Sequence, residues 1–89
     1  MGAYRFPAVA NIKDIQAFEQ MDKVNEEVAE ANDAYITESN ERFVEELLDV
    51  IHAIETEIRI VMPDPEKVEE ARQRVIEKNA RRGYYGVSK

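Results

Sequence analysis

Apolar residues recur every three or four positions along most of the chain, and that spacing restricts its possible folds more than any other feature. Ile12, Ile15, Phe18, Met21, Val24, Val28, Ala31 and Tyr35 follow it, and a second run extends from Phe43 to Val61. A period near 3.6 lines such residues along one stripe of a helix, whereas a half-buried strand needs strict alternation. Gly and Pro stand between the runs: Pro7 in an irregular leader, Met62-Pro63-Asp64-Pro65 as a turn, and Gly83 with Gly86 near the end. The spacing predicts helices over residues 11–35, 41–61 and 65–80, with no strand and no internal repeat. Thr37-Glu38-Ser39-Asn40 supplies cap-forming residues for the second helix. The third opens on a proline with acids beside it and closes on basic residues, the polarity that a helix dipole favours. A short link between the first two helices predicts that they pair antiparallel, so the expectation is an all-α antiparallel helical bundle.

The second helix carries more apolar surface than one neighbour can cover. Phe43, Val44, Leu47, Leu48, Val50, Ile51, Ile54, Ile58 and Val61 spread over about 160° of the wheel, against roughly 100° for a helix facing a single core. At 1.5 Å per residue this helix is about 31 Å long. A compact chain of 89 residues has a radius of gyration of only about 12 Å. The arc therefore predicts a homo-oligomer, with this helix packed against its counterpart.

Length and charge exclude several functions. Eighty-nine residues suffice for one domain, spanning 1–89. With 12 Lys and Arg against 19 Asp and Glu the formal net charge is −7, which repels a polynucleotide backbone. The absence of cysteine removes disulfide scaffolds, thiol nucleophiles and Cys-ligated zinc. No segment approaches the roughly 20 apolar residues of a membrane span, and residues 1–10 lack a sustained apolar run. A soluble, cytoplasmic protein with no membrane partner is the expectation.

The charge is unevenly placed. Residues 11–36 carry seven acids against two bases, whereas residues 78–89 carry Lys78, Arg81, Arg82 and Lys89 with no acid. Glu26, Glu27 and Glu30 form an EExxE pattern, followed downstream by Glu46-x-x-Asp49. Glu27 and Glu30 sit about 60° apart on the wheel, beside the apolar face of Val24, Val28 and Ala31, and Glu46 and Asp49 are spaced alike at the edge of the second arc. Antiparallel pairing would bring these four carboxylates into one half-buried cleft. Unpaired, they would repel one another or take up protons. A hard divalent cation removes that conflict, and Mg²⁺, held by a few carboxylates plus substrate phosphates, suits an all-oxygen set. Zinc is disfavoured, because the single His52 faces away from Glu46 and Asp49 on the wheel.

Other residues have two readings each. Lys23 stands one turn before Glu27, placed either to hold a phosphate or to form an i,i+4 salt bridge. Lys78 and Arg82 can hold phosphate oxygens or serve the helix dipole. Tyr84 and Tyr85 can stack on a base or pack against a neighbouring subunit. Asn79 can bond a nucleotide or end a helix. Gln16 and Gln20 are candidates for base edges, with solvent exposure the default. His52 faces neither the carboxylate column nor the centre of the apolar arc, and no role is assigned to it.

Lys23-x-x-Glu26-Glu27-x-x-Glu30 followed by Glu46-x-x-Asp49 resembles the metal-binding signature of the MazG-like nucleotide pyrophosphohydrolases, members of the all-α nucleoside triphosphate pyrophosphatase superfamily. The closing Lys78-Asn79-Ala80-Arg81-Arg82-Gly83-Tyr84-Tyr85 is similar to the Lys-Asn-x-x-Arg-Gly-aromatic ending of small members, and the resemblance spans about residues 12–85. It implies a Mg²⁺-dependent enzyme, with Mn²⁺ a possible substitute, that cuts a nucleoside triphosphate between the α and β phosphates. Water activated by the metal would attack phosphorus, leaving a monophosphate and pyrophosphate. Carried over, Glu27, Glu30, Glu46 and Asp49 would be metal ligands, and Glu26 would orient water or a ligand. Lys23, Lys78, Asn79, Arg82 and Tyr85 would contact substrate. Dimers and tetramers both occur among such proteins. Two readings compete: a non-enzymatic helical module that docks a partner chain on its apolar arc, and a cation held between helices without turnover.

Overall fold

The computed structural model describes residues 4–86, so Lys89 of the basic run lies outside the described residues. Three helices follow one another: α1 (Ala17–Thr37), α2 (Asn40–Val61) and α3 (Pro65–Arg81), with a 3-10 turn at Ile12–Asp14 ahead of them. No strand occurs among the described residues. The all-α expectation holds, and α2 and α3 begin and end within a residue of the bounds the periodicity gives.

The start of the first helix is the exception. Residues 11–35 share one apolar period, yet α1 begins only at Ala17, because Gln16 is extended and its backbone N–H is taken by the Glu19 carboxylate at 3.1 Å. That reach from the third helical position back to the cap fixes a helix start. α2 starts where Ser39 Oγ accepts from the Arg42 N–H at 3.2 Å, and α3 where Asp64 Oδ1 accepts from the Glu66 N–H at 3.0 Å. Gly83, at φ +81°, takes the left-handed conformation that ends α3, and the Tyr84 N–H turns back to Asn79 O at 3.0 Å.

α1 and α2 form an antiparallel hairpin. Gln20 near the start of α1 bonds Ala53 in the second half of α2, and Tyr35 near the end of α1 lies 5.3 Å from Phe43 near the start of α2. The buried seam is made of Val24, Ala31, Ala34 and Ala53, and the small side chains let the two backbones approach closely. Of α3, only Val68, close to its start, is buried. The radius of gyration is 15.3 Å, well above the roughly 12 Å of a compact chain this long.

Residues ahead of α1 fold back along α2 as a strap, although nothing in their spacing suggests it. Glu55, 6 % exposed, accepts the backbone N–H groups of Arg5 (2.9 Å) and Phe6 (2.9 Å). Arg59 Nη2 donates to Phe6 O at 2.9 Å, and its guanidinium stacks 3.8 Å above the Tyr4 ring. Phe6 in turn stacks on His52, with centroids 4.9 Å apart and planes 20° from parallel.

The broad apolar arc of α2 is left largely uncovered. Val44, Leu47, Leu48, Ile51, Ile54 and Val61 are all exposed. Ile51, Ile54, Ile58 and Val61 face Val68 and Val75 of α3 across an almost wholly apolar groove of about 490 Å³.

Candidate metal centre

Antiparallel pairing sets the EExxE turn of α1 beside the ExxD turn of α2. One carboxylate oxygen each from Glu27, Glu46 and Asp49 lies within 4.8 Å of the others. The three differ in surroundings. Glu27 is buried, at 8 % exposed, and its Oε2 takes the Lys23 ammonium at 3.0 Å. Glu46 is held through Oε2 by Arg42 Nη2 at 3.3 Å, while its Oε1 is buried with no hydrogen-bond partner among the described residues. Asp49 is exposed at the rim.

The donor set fits a hard cation. A buried carboxylate oxygen with neither hydrogen bond nor solvent is costly, and Glu46 Oε1 is such an atom. Three carboxylate oxygens grouped within 4.8 Å of one another are an all-oxygen set of the kind Mg²⁺ takes, with water or substrate oxygens for its other positions.

Glu30 is not within the three-oxygen group and is exposed. Its carboxyl nevertheless feels the group's field: the Glu27 carboxylate chiefly, and Glu46 to a lesser degree, hold it above the usual carboxylate range. Glu26 lies on the exposed side of α1 and makes no side-chain hydrogen bond among the described residues. Lys23 shows the i,i+4 salt bridge, and its hydrogen bond to Glu27 raises its pKa above the ordinary lysine value.

A cleft of about 320 Å³, lined by both polar and apolar side chains, adjoins the carboxylates. Its floor is Glu27 and Gln20 of α1 with Asp49, His52, Ala53 and Thr56 of α2; Val9, Asn11 and Ile15 of the strap form a wall, and Lys23 borders it. One sequence expectation needs correction here. Gln20, assigned to solvent, is 7 % exposed and donates from Nε2 to Ala53 O at 2.9 Å, because it faces α2 across the hairpin seam. His52 borders the same cleft as Asp49. Asn11 and Thr56 carried no signal beyond their identity as small polar residues.

Lys78, Asn79, Arg82 and Tyr85 stand at the far end of α3 from its junction with α2, and none borders this cleft within its own chain. Lys78 and Arg82 are exposed, as are Tyr84 and Tyr85. No protein-family model, curated protein or solved structure matches the chain.

Proposed function

We propose that this protein is a Mg²⁺-dependent nucleoside triphosphate pyrophosphohydrolase, working in the cytoplasm as a homo-oligomer. The observation that carries the reading is the convergence of Glu27, Glu46 and Asp49 from two helices, with one glutamate oxygen buried and without a partner among the described residues, beside a cleft of small-molecule size. Glu27, Glu46 and Asp49 would hold the ion, and Glu30 would turn inward from the rim when the positive charge arrives. When bound, Mg²⁺ supplies charge against the triphosphate oxygens and acidifies water. Arg42 fixes the rotamer of Glu46 through its second oxygen. Lys23 lies where its ammonium can exchange Glu27 for a phosphate oxygen, and Glu26 is left to orient water from the exposed side of α1.

The uncovered apolar arc of α2 supports assembly, because a contiguous face of Leu, Ile and Val marks an interface. Lys78, Asn79, Arg82 and Tyr85 keep their assignment as triphosphate and base contacts delivered from a neighbouring copy, since they do not border the cleft of their own chain. Incubation with Mg²⁺ and a panel of ribo- and deoxynucleoside triphosphates, with detection of pyrophosphate, tests the reading. Release of pyrophosphate and the monophosphate is expected for at least one nucleotide, and its absence for all of them refutes the activity.

A further inference from the structure

The single apolar period of α1 divides in the structure. Val24 and Ala31 are buried against α2, whereas Phe18, Met21, Val28 and Tyr35 stand outside the hairpin seam. With Asn25 and Asn32 these four form a second stripe at intervals of three, four, three, four and three, and all six side chains are exposed. That spacing is the a/d seam of a coiled coil, in which an asparagine at an a position fixes register and the number of helices, and Asn25 and Asn32 both fall at a positions. At about 100° per residue the stripe centres opposite Lys23 and Glu30, on the side of the hairpin away from the carboxylates. It runs on into α2: Tyr35 packs on Phe43 with centroids 5.3 Å apart, and Phe43, Leu47, Ile54 and Val61 fall within about 40° of one another on their helix. Phe18 is 68 % exposed, Tyr35 71 % and Ile36 79 %. With Met21, Val28 and the exposed Leu47, Ile54 and Val61, the two-helix face comes to on the order of 800 Å², one partner's share of a stable interface and more than a monomer commonly leaves bare.

We propose that a second copy of this chain docks on this face, hairpin against hairpin, with the outer stripe of α1 supplying half of the interface. The inference rests on the assembly read from α2 above and adds the helix and the side of the hairpin that the second copy covers. An identical chain brings an apolar stripe of the same length. It also meets the demand that Asn25 and Asn32 make once water is excluded, because an amide both donates and accepts and can pair with its like. Seven residues apart on one stripe, the two asparagines meet their equivalents in a parallel pair, or each other in an antiparallel one. A foreign helix would have to carry two amides in the same register. None of the six stripe residues is charged, so burying them leaves no ion unpaired.

Single-cysteine variants test this, since the chain has no cysteine of its own. At micromolar concentration, alkylation of Val28→Cys by a maleimide should run at least tenfold slower than that of Asp33→Cys, which is exposed on α1 outside the stripe. The gap should close when Leu48→Asp on α2 splits the assembly. Equal rates overturn the proposal, and so does a gap that persists in the split protein. Light scattering gives a second readout: Met21→Glu and Val28→Glu should each weaken association at least a hundredfold, with helicity unchanged because both side chains are exposed in the single chain. Circular dichroism shows which of the two is folded, and either suffices. An assembly that Leu48→Asp splits and the folded α1 variants leave intact overturns the proposal and keeps the assembly through α2. A wild-type chain that is monomeric at micromolar concentration overturns both.

Discussion

Neutralising Glu55 should release the strap while leaving the hairpin intact. Its carboxylate is 6 % exposed and receives two backbone N–H groups, from Arg5 and Phe6, each at 2.9 Å. Hydrogen bonds to a charged group contribute about 1.5–3 kcal/mol each, and neutral ones about half of that. Glu55→Gln keeps the shape and one acceptor oxygen, so the two bonds together should weaken by roughly 2 kcal/mol. The strap is held otherwise by Arg59 to Phe6 O and by stacking of Tyr4 and Phe6, and the substitution leaves those contacts in place. The loss should therefore appear as local opening rather than global unfolding. Amide hydrogen exchange reads it directly: 2 kcal/mol corresponds to about a thirtyfold fall in protection at Arg5 and Phe6. Amides at the α1–α2 seam, such as those of Ala31 and Ala53, should exchange as before. Unchanged protection at Arg5 and Phe6 would refute the claim that a buried glutamate holds the strap. Equal loss at the seam would show that the strap is not a separate unit.

Three further outcomes follow from the carboxylate group and the uncovered arc. Glu27→Gln and Asp49→Asn should each weaken Mg²⁺ binding at least tenfold by calorimetry and abolish turnover, with helicity by circular dichroism unchanged because like-charge repulsion falls; retained binding in both would remove them as ligands. Leu48→Asp, on the exposed apolar face of α2, should convert an oligomer to monomer in light scattering, and a wild-type monomer at micromolar concentration would refute assembly. Glu30 is held above its ordinary value of 4.5, so the fold favours its protonated form; that stability is full below 4.5 and is lost as pH rises through the folded-state value. Glu30→Gln should accordingly raise the melting temperature of the metal-free protein at pH 7 and leave it unchanged at pH 3, and equal melting temperatures at pH 7 would remove the field of Glu27 as the cause.

What the sequence discloses about this fold is what depends on neighbours three or four residues away. The period of the apolar residues and the caps at Ser39 and Asp64 act within one turn, and α2 and α3 begin where those signals stand. Glu27, Glu46 and Asp49 were legible for a related reason. Each lies at the edge of an apolar stripe, and antiparallel pairing of two helices across a two-residue link leaves little choice about which edges meet. The motif alone does not separate Glu27 from Glu30, which differ in depth rather than in spacing.

The strap depends on a different kind of contact. Glu55 lies about fifty residues along the chain from the N–H groups it holds, and it stands in a helix where Glu41, Glu45, Glu46 and Glu57 are its equals by composition. Nothing in its own neighbourhood marks it as buried. The same absence hid the cleft. Gln20, Thr56 and His52 line that cleft together with Val9, Asn11 and Ile15, residues distant in sequence from α2, and no local spacing shows which distant residues meet there. A buried glutamate in the second half of α2 thus has a consequence at the carboxylates. By fixing Arg5 and Phe6 it anchors the segment whose Val9, Asn11 and Ile15 wall the cleft that Glu27 and Asp49 border. The enclosure of the candidate site therefore rests on a residue outside every motif that located it.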